Sequence, residues 1–273
     1  MLVAQHPDAA NLPMALSKPT NVAQWSGQSL HDPMKNQGIR IGCSGWYYWH
    51  WKGLVYPAGL PTNQWLAHYQ RTFDTVELNA PFYHWPRLTT VRNWARQATP
   101  QFRYSMKVNR RITHLKRFNN TKELVREFSK FADLLGECMG CFLFQLPPGF
   151  HYTAARLHSI VTQLDPRYRN AVEFRHRSWW NKDVFGAFRD TGLMFCSVSA
   201  PSLPDDVIET TNAIYVRFHG AQHWYRHDYS DAELESWAEK IQASRAKEIW
   251  VYFNNDFQGC AFRNAQSFRG MLC

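Results

Sequence analysis

Eight short apolar or alternating segments recur along this chain, separated by stretches that can form helices. They are residues 39–45, 75–80, 102–108, 141–146, 171–176, 193–199, 213–219 and 249–254. The intervening stretches carry helix punctuation. Thr62 stands as an N-cap before 62–72, the run 121–136 ends on Gly136, and 230–243 opens on Ser230-Asp231-Ala232-Glu233, a capping-box pattern. Eight strands alternating with helices over roughly 230 residues is the count and size of a barrel. The expected fold is therefore α/β, a single (βα)8 TIM-like barrel over residues 38–273, with a doubly wound open sheet as the alternative. Residues 1–37 are rich in Pro, Asn, Gln, Ser and Ala and show no sustained periodicity, so they read as a disordered N-terminal tail. Met34, just ahead of the first strand, would make that tail the product of an upstream start codon.

In a barrel, alternate residues of a strand face the helices and the interior. The seventh segment puts Ile214, Val216 and Phe218 on one face and Tyr215, Arg217 and His219 on the other. In the second segment Val76 and Leu78 oppose Thr75, Glu77 and Asn79; in the fifth, Val172 and Phe174 oppose Glu173 and Arg175. The eighth opposes Ile249, Val251 and Phe253 to Trp250, Tyr252 and Asn254. Ser44, Lys107 and Gln145 join the polar set, while the sixth segment is apolar on both faces. The polar residues cluster towards the C-terminal ends of their strands, where barrels place catalytic groups.

The predicted mouth thus gathers Ser44, Glu77, Asn79, Lys107, Gln145, Glu173, Arg175, Arg217, His219, Tyr252 and Asn254. Burying so many polar groups is costly unless they pair or bind something. Glu77 and Glu173 are acid/base candidates, against the plainer reading that each forms a structural ion pair; a glycosidase pair is a narrower version of the first. His219 titrates near neutrality and is either a proton relay or a core histidine. Lys107 is either a cation for an anion or an amine nucleophile with a lowered pKa. Two carboxylates against three cations predict a net positive mouth, which an anionic substrate would compensate. Asn79, Gln145, Arg175, Arg217, Tyr252, Asn254 and Asn255 are the expected substrate-binding groups.

Aromatic residues make up 15% of the chain, so many large rings must be buried or line a cleft. Trp46 to Trp51, Tyr83 and Trp179 crowd the segments after strands one, two and five, so Trp46, Tyr83 and Trp179 are read as stacking on substrate or packing a lid. Gly220 and Gly259 follow strands seven and eight, the second before a short helix near Ala261, a common place for a phosphate in barrels. His176 and Asp256 add to the admissible metal ligands, but no tight ligand motif appears and the cations oppose a metal. No metal or cofactor is expected. Cys138-Met-Gly-Cys141 has redox spacing, yet a lone pair opening a buried strand reads better as packing.

The formal charge of +9 favours anionic partners, and no apolar run approaches a membrane span. The six cysteines read as reduced thiols of a cytoplasmic protein.

Several runs together resemble a known family: Ile41 to Trp46, Val76 to Tyr83, Phe144 to Pro148, Val172 to His176 with Trp179, Tyr215 to Gly220 and Tyr252 to Asp256. Ile112-Thr113-His114 fits as well. These runs are similar to those of the domain-of-unknown-function family 72, the YecE-like proteins, over about residues 39–273. The resemblance implies a TIM-barrel-like fold with signature residues at strand ends, and no established reaction. Cys43 stands where the resemblance implies a small or hydroxylated residue, and Ala80 where it implies Ser, so neither position is expected to carry essential chemistry. Three functions are carried forward. The first is an enzyme acting on a small anionic, phosphorylated or sugar-like, substrate. The second is a nucleic-acid-binding or repair protein, and the third a non-catalytic binding module.

Overall fold

The structure, a computed structural model, describes residues 38–273; the stretch 1–37 read above as a tail lies outside them. The strands are β1 (Ile39–Cys43), β2 (Thr75–Leu78), β3 (Arg103–Lys107), β4 (Met139–Gln145), β5 (Asn170–Glu173), β6 (Met194–Ser199), β7 (Ala213–Phe218) and β8 (Glu248–Phe253). They pair in parallel in the order β1-β8-β7-β6-β5-β4-β3-β2. The result is a nearly closed eight-stranded barrel, as expected, with helices outside. Between β1 and β2 no ladder forms; instead the Tyr69 hydroxyl accepts from Cys43 N–H at 2.8 Å and donates to Thr75 O at 3.0 Å. A Cβ on Gly42 would fall 2.2 Å from Thr75 O, so the two strands approach this closely only over glycine.

The alternation read from the sequence is the alternation of the barrel. Outward residues such as Val76, Val172, Ile214, Val216, Val251 and Phe253 join the helices in the larger core. A second, interior cluster holds Cys141, Leu143, Ala171, Tyr215, Trp250 and Tyr252. It also takes Met194, Cys196 and Val198, which settles the two-faced β6. The other face of β6 carries Phe195, Ser197 and Ser199. Ser197 Oγ accepts from Ile208 N–H at 2.8 Å, while Thr210 Oγ1 accepts from Phe195 N–H at 2.9 Å. The segment 200–212, interrupted by Pro201 and Pro204, is thereby tied over β6 as irregular chain rather than helix.

Helix signals were met unevenly. Ser230 caps the helix Asp231–Gln242 with the full capping box, and Gly136 ends the helix Phe131–Leu135 at φ +55°. The run 121–136 is two helices, Lys122–Ser129 and Phe131–Leu135, rather than one. Thr62 is no cap: it opens a 3-10 turn, Thr62–Gln64, ahead of the helix Trp65–Tyr69. The helix expected to be short near Ala261 is 13 residues long, Cys260–Leu272, and its inner face buries Ala261, Ala265 and Phe268. Among the described residues no helix is long and apolar enough to cross a membrane.

Candidate functional site

The C-terminal ends of β2, β5 and β7 converge on a buried ionic network. Arg217 on β7 donates from Nη2 to Glu77 Oε1 at 2.6 Å and from Nη1 to Glu173 Oε2 at 2.5 Å. Glu77 also accepts from Ser44 Oγ at 2.8 Å and from the Tyr215 hydroxyl at 2.7 Å. Glu173 is closed by the Arg175 guanidinium through Nε and faces His219 Nε2 at 3.2 Å. Glu77, Glu173, Arg217 and His219 are each fully buried. Burial opposes ionisation of Glu173, but the charges of Arg175 and Arg217 outweigh it and hold the carboxyl well below its usual range. Burial likewise weighs against the Arg217 charge, and the two glutamates more than restore it. His219 is pushed well below the ordinary histidine value by burial and then by Arg175, so its ring is neutral at neutral pH.

This pairing shows where the expected positive surplus sits. Two carboxylates are matched by two arginines, and the surplus rests on Lys107 alone. Lys107, half-buried at the end of β3, makes no ion pair and no hydrogen bond among the described residues; its Nζ lies 4.2 Å from the centre of the Phe82 ring. Burial first, and then the Arg217 charge, lowers its pKa to about 7. It is not the fixed cation the composition suggested, but an amine that titrates at neutral pH. His114 stands nearby, lowered to about 4 by burial and by the Lys107 charge, with Nδ1 2.9 Å from Thr113 Oγ1.

Around this centre lie the remaining polar groups of the strand ends. Asn254 Nδ2 is 3.1 Å from His219 Nδ1, and Asn79 Nδ2 donates to Ser44 O at 2.9 Å. The side chain of Arg175, 7% exposed, lies over the Trp224 ring at 4.5 Å and points Nη1 at the Tyr225 hydroxyl. Gln145 is turned back on its own strand end, donating to Leu146 O at 2.6 Å. Tyr83 is exposed beside Phe82, whereas Trp46 is half-buried and its carbonyl accepts from the Tyr56 hydroxyl.

Three residues expected at the mouth lie elsewhere. Tyr252 sits one layer down the interior, its hydroxyl held by Thr75 Oγ1 at 2.6 Å and Ser105 Oγ at 2.8 Å. Trp179 faces the helices, stacked on Phe174 at 4.0 Å with Nε1 donating to Phe150 O. Asn255 is buried and braces the loop after β7, donating to His227 O at 2.8 Å and to Asn264 Oδ1 at 2.7 Å. Parity located the strand faces; it did not say how deep a residue stands or which way a loop residue turns. Nor do the glycines after β7 and β8 leave a phosphate cradle. Gly220 N–H is taken by the Tyr229 hydroxyl at 2.8 Å, and Gly259 N–H turns back to Asp256 O at 3.3 Å.

Sequence reasoning put Tyr215 on the inward face but left it out of the mouth set, although its place two residues below Arg217 was a usable signal. It also missed His50, whose Nε2 meets Asp256 Oδ2 at 2.8 Å while Trp51 Nε1 donates to Asp256 Oδ1 at 2.7 Å. That contact joins the loops after β1 and β8 across 205 residues or more, and no local pattern announces it. The aromatic loop after β1 divides in two. Trp51, Tyr56 and Trp65 are buried, the last two stacked at 4.7 Å, whereas Tyr47 and Trp49 remain about half exposed.

Comparison with known proteins agrees with this architecture. The protein YunF of Bacillus subtilis is 25% identical over 270 residues, covering 86% of this chain and 94% of its own length. YecE of Escherichia coli K12 is 29% identical over 145 residues, 53% of this chain and 51% of YecE. Both are UPF0759 proteins. Among solved structures, the DUF72 protein TM1631 of Thermotoga maritima superposes with a TM-score of 0.79 at 30% identity, covering 86% of this chain and 99% of that one. A DUF72 protein of Enterococcus faecalis, 22% identical, shares the fold at a TM-score of 0.74 over 86% of this chain and 95% of its own. The family model described as "Protein of unknown function DUF72" matches residues 40–273, so the barrel with its buried Glu77–Arg217–Glu173 network belongs to the DUF72 family.

Proposed function

We propose that this protein is an enzyme that acts on a small anionic substrate, phosphorylated or sugar-like, by acid/base chemistry at the C-terminal mouth. The observation that carries the reading is Lys107: an amine at a strand end, without an ionic partner among the described residues, whose pKa of about 7 lies at working pH. Protonated, it is the unmatched charge that draws an anion; deprotonated, it is a base within the same site. Arg175, anchored by Glu173, offers its outer edge to the same anion, and Asn79 and Asn254 orient the substrate. Glu77, Glu173, Arg217 and His219 then act from beneath, setting the field at Lys107 rather than touching substrate, because they are fully buried.

Thermal unfolding against a panel of phosphosugars and carboxylated sugars tests this. A ligand at ~100 times its Kd stabilises the folded protein by about 2.7 kcal/mol. Stabilisation of the wild type at pH 6, reduced at pH 9 and lost in Lys107→Met, is the expected result. Equal stabilisation of wild type and variant would remove Lys107 from the site. The exposed rings of Tyr47, Trp49 and Tyr83 favour a second reading, single-stranded nucleic acid stacked at the mouth. Oligonucleotide binding that falls steeply with salt, and persists in Lys107→Met, would replace the first reading with this one.

A further inference from the structure

At the opposite end of the barrel lies a second set of charged groups that the mouth does not use. The indole of Trp250, 3% exposed, closes the interior there. It reaches from β8 across to β4, where a Cβ on Gly140 would lie 2.8 Å from its six-membered ring, and the Arg40 guanidinium covers it at 5.6 Å. Beneath the indole is a depression of about 370 Å³ lined by Arg40, Arg103, Arg169, Lys247, Glu248 and Trp250 itself. Arg169 is spent on Glu248, bonded at 2.7 and 3.0 Å, and Arg40 on Asp74 at 2.7 Å. Among the described residues Arg103 donates only to backbone carbonyls, Pro100 O at 2.8 Å and Phe102 O at 3.0 Å. The Lys247 ammonium has no partner among the described residues, and the buried Trp250 Nε1–H makes no full hydrogen bond, facing only the Glu248 carboxylate that Arg169 already holds. Two positive charges outside any ion pair and one buried indole N–H without a full hydrogen bond therefore line one recess.

We propose that this floor is a binding site for a phosphate-class oxyanion. Arg103 and Lys247 supply the charge. The indole N–H, costly to bury without a full hydrogen bond, supplies the directed hydrogen bond. Two unmatched charges suit a doubly charged oxyanion better than a single carboxylate, and the recess has room for a small molecule attached to it. The site is independent of Lys107 and of the reading of the mouth.

The test uses indole N–H resonances of the full-length protein, with the Trp250 signal identified as the one missing from Trp250→Phe. Titration with inorganic phosphate, and separately with a hexose phosphate, should move that signal saturably. Arg103→Gln with Lys247→Gln should weaken the response at least tenfold, while Lys107→Met leaves it unchanged. Equal affinity for the two ligands identifies the free anion as sufficient, and tighter hexose phosphate binding identifies a phosphorylated molecule. A Trp250 signal that stays still up to tens of millimolar phosphate, or one that moves equally in the double variant, overturns the proposal.

Discussion

The two ends of the barrel interior solve the same electrostatic problem in opposite ways. At the C-terminal end, Glu77, Arg217 and Glu173 are removed from water altogether and satisfy one another. At the N-terminal end, Arg169–Glu248 and Arg40–Asp74 keep access to solvent while an aromatic plug, Trp250, does the excluding. A buried pair has no water to fall back on, so losing one partner strands the other; an exposed pair is simply rehydrated. Ion pairs of similar length at the two ends of the barrel should therefore differ widely in consequence.

The largest effect expected is that of Arg217→Met, which leaves two buried carboxylates without their common partner. It should cost about 3–5 kcal/mol, measured by urea denaturation. A loss as small as that of a surface pair would break the comparison. Tyr69→Phe comes next. Removing the hydroxyl that links Cys43 N–H to Thr75 O leaves both unpaired at the one seam without a ladder, for about 1–3 kcal/mol. Its hydrogen exchange should rise at β1 and β2 before other strands.

Lys107→Met should move stability the other way. The unfolded chain holds the lysine proton up to 10.5, whereas the folded protein releases it near 7. Between these values the unfolded state binds the extra proton, so wild-type stability climbs with pH, and below 7 the full penalty of the buried charge applies. The variant should be more stable than wild type by about 1 kcal/mol or more at pH 6, with the advantage fading towards pH 10. A Tm difference that does not depend on pH would show that Lys107 keeps its ordinary pKa. Smallest is Arg169→Ala at the floor, expected within about 1 kcal/mol of wild type and less at high salt. A larger loss would mean that the floor is not the solvated end described here.

How much of this was legible beforehand follows from the range of each interaction. Alternation of side chains along a strand is local, so Val216 against Arg217, or Val172 against Glu173, declared its face without knowledge of the rest. The capping box at Ser230 is likewise written in four consecutive residues. Tyr252 shows where that stops: its face was right, but its hydroxyl found Thr75 and Ser105 in a middle layer rather than the mouth. Trp179 and Asn255 sit beyond strand ends, where no period applies, and neighbours distant in sequence turned them towards the helices.

The order and spacing of strands and helices, the face each strand shows the interior and the family all follow from the amino-acid sequence by itself, because burial periodicity acts over a few residues. Only the tertiary structure decided which charges cancel. Whether Lys107 is one cation among three or a lone amine titrating near 7 depends on Arg217 reaching both glutamates across the barrel, and Coulomb energies depend on distances in space and on exclusion of water, neither of which is local in sequence.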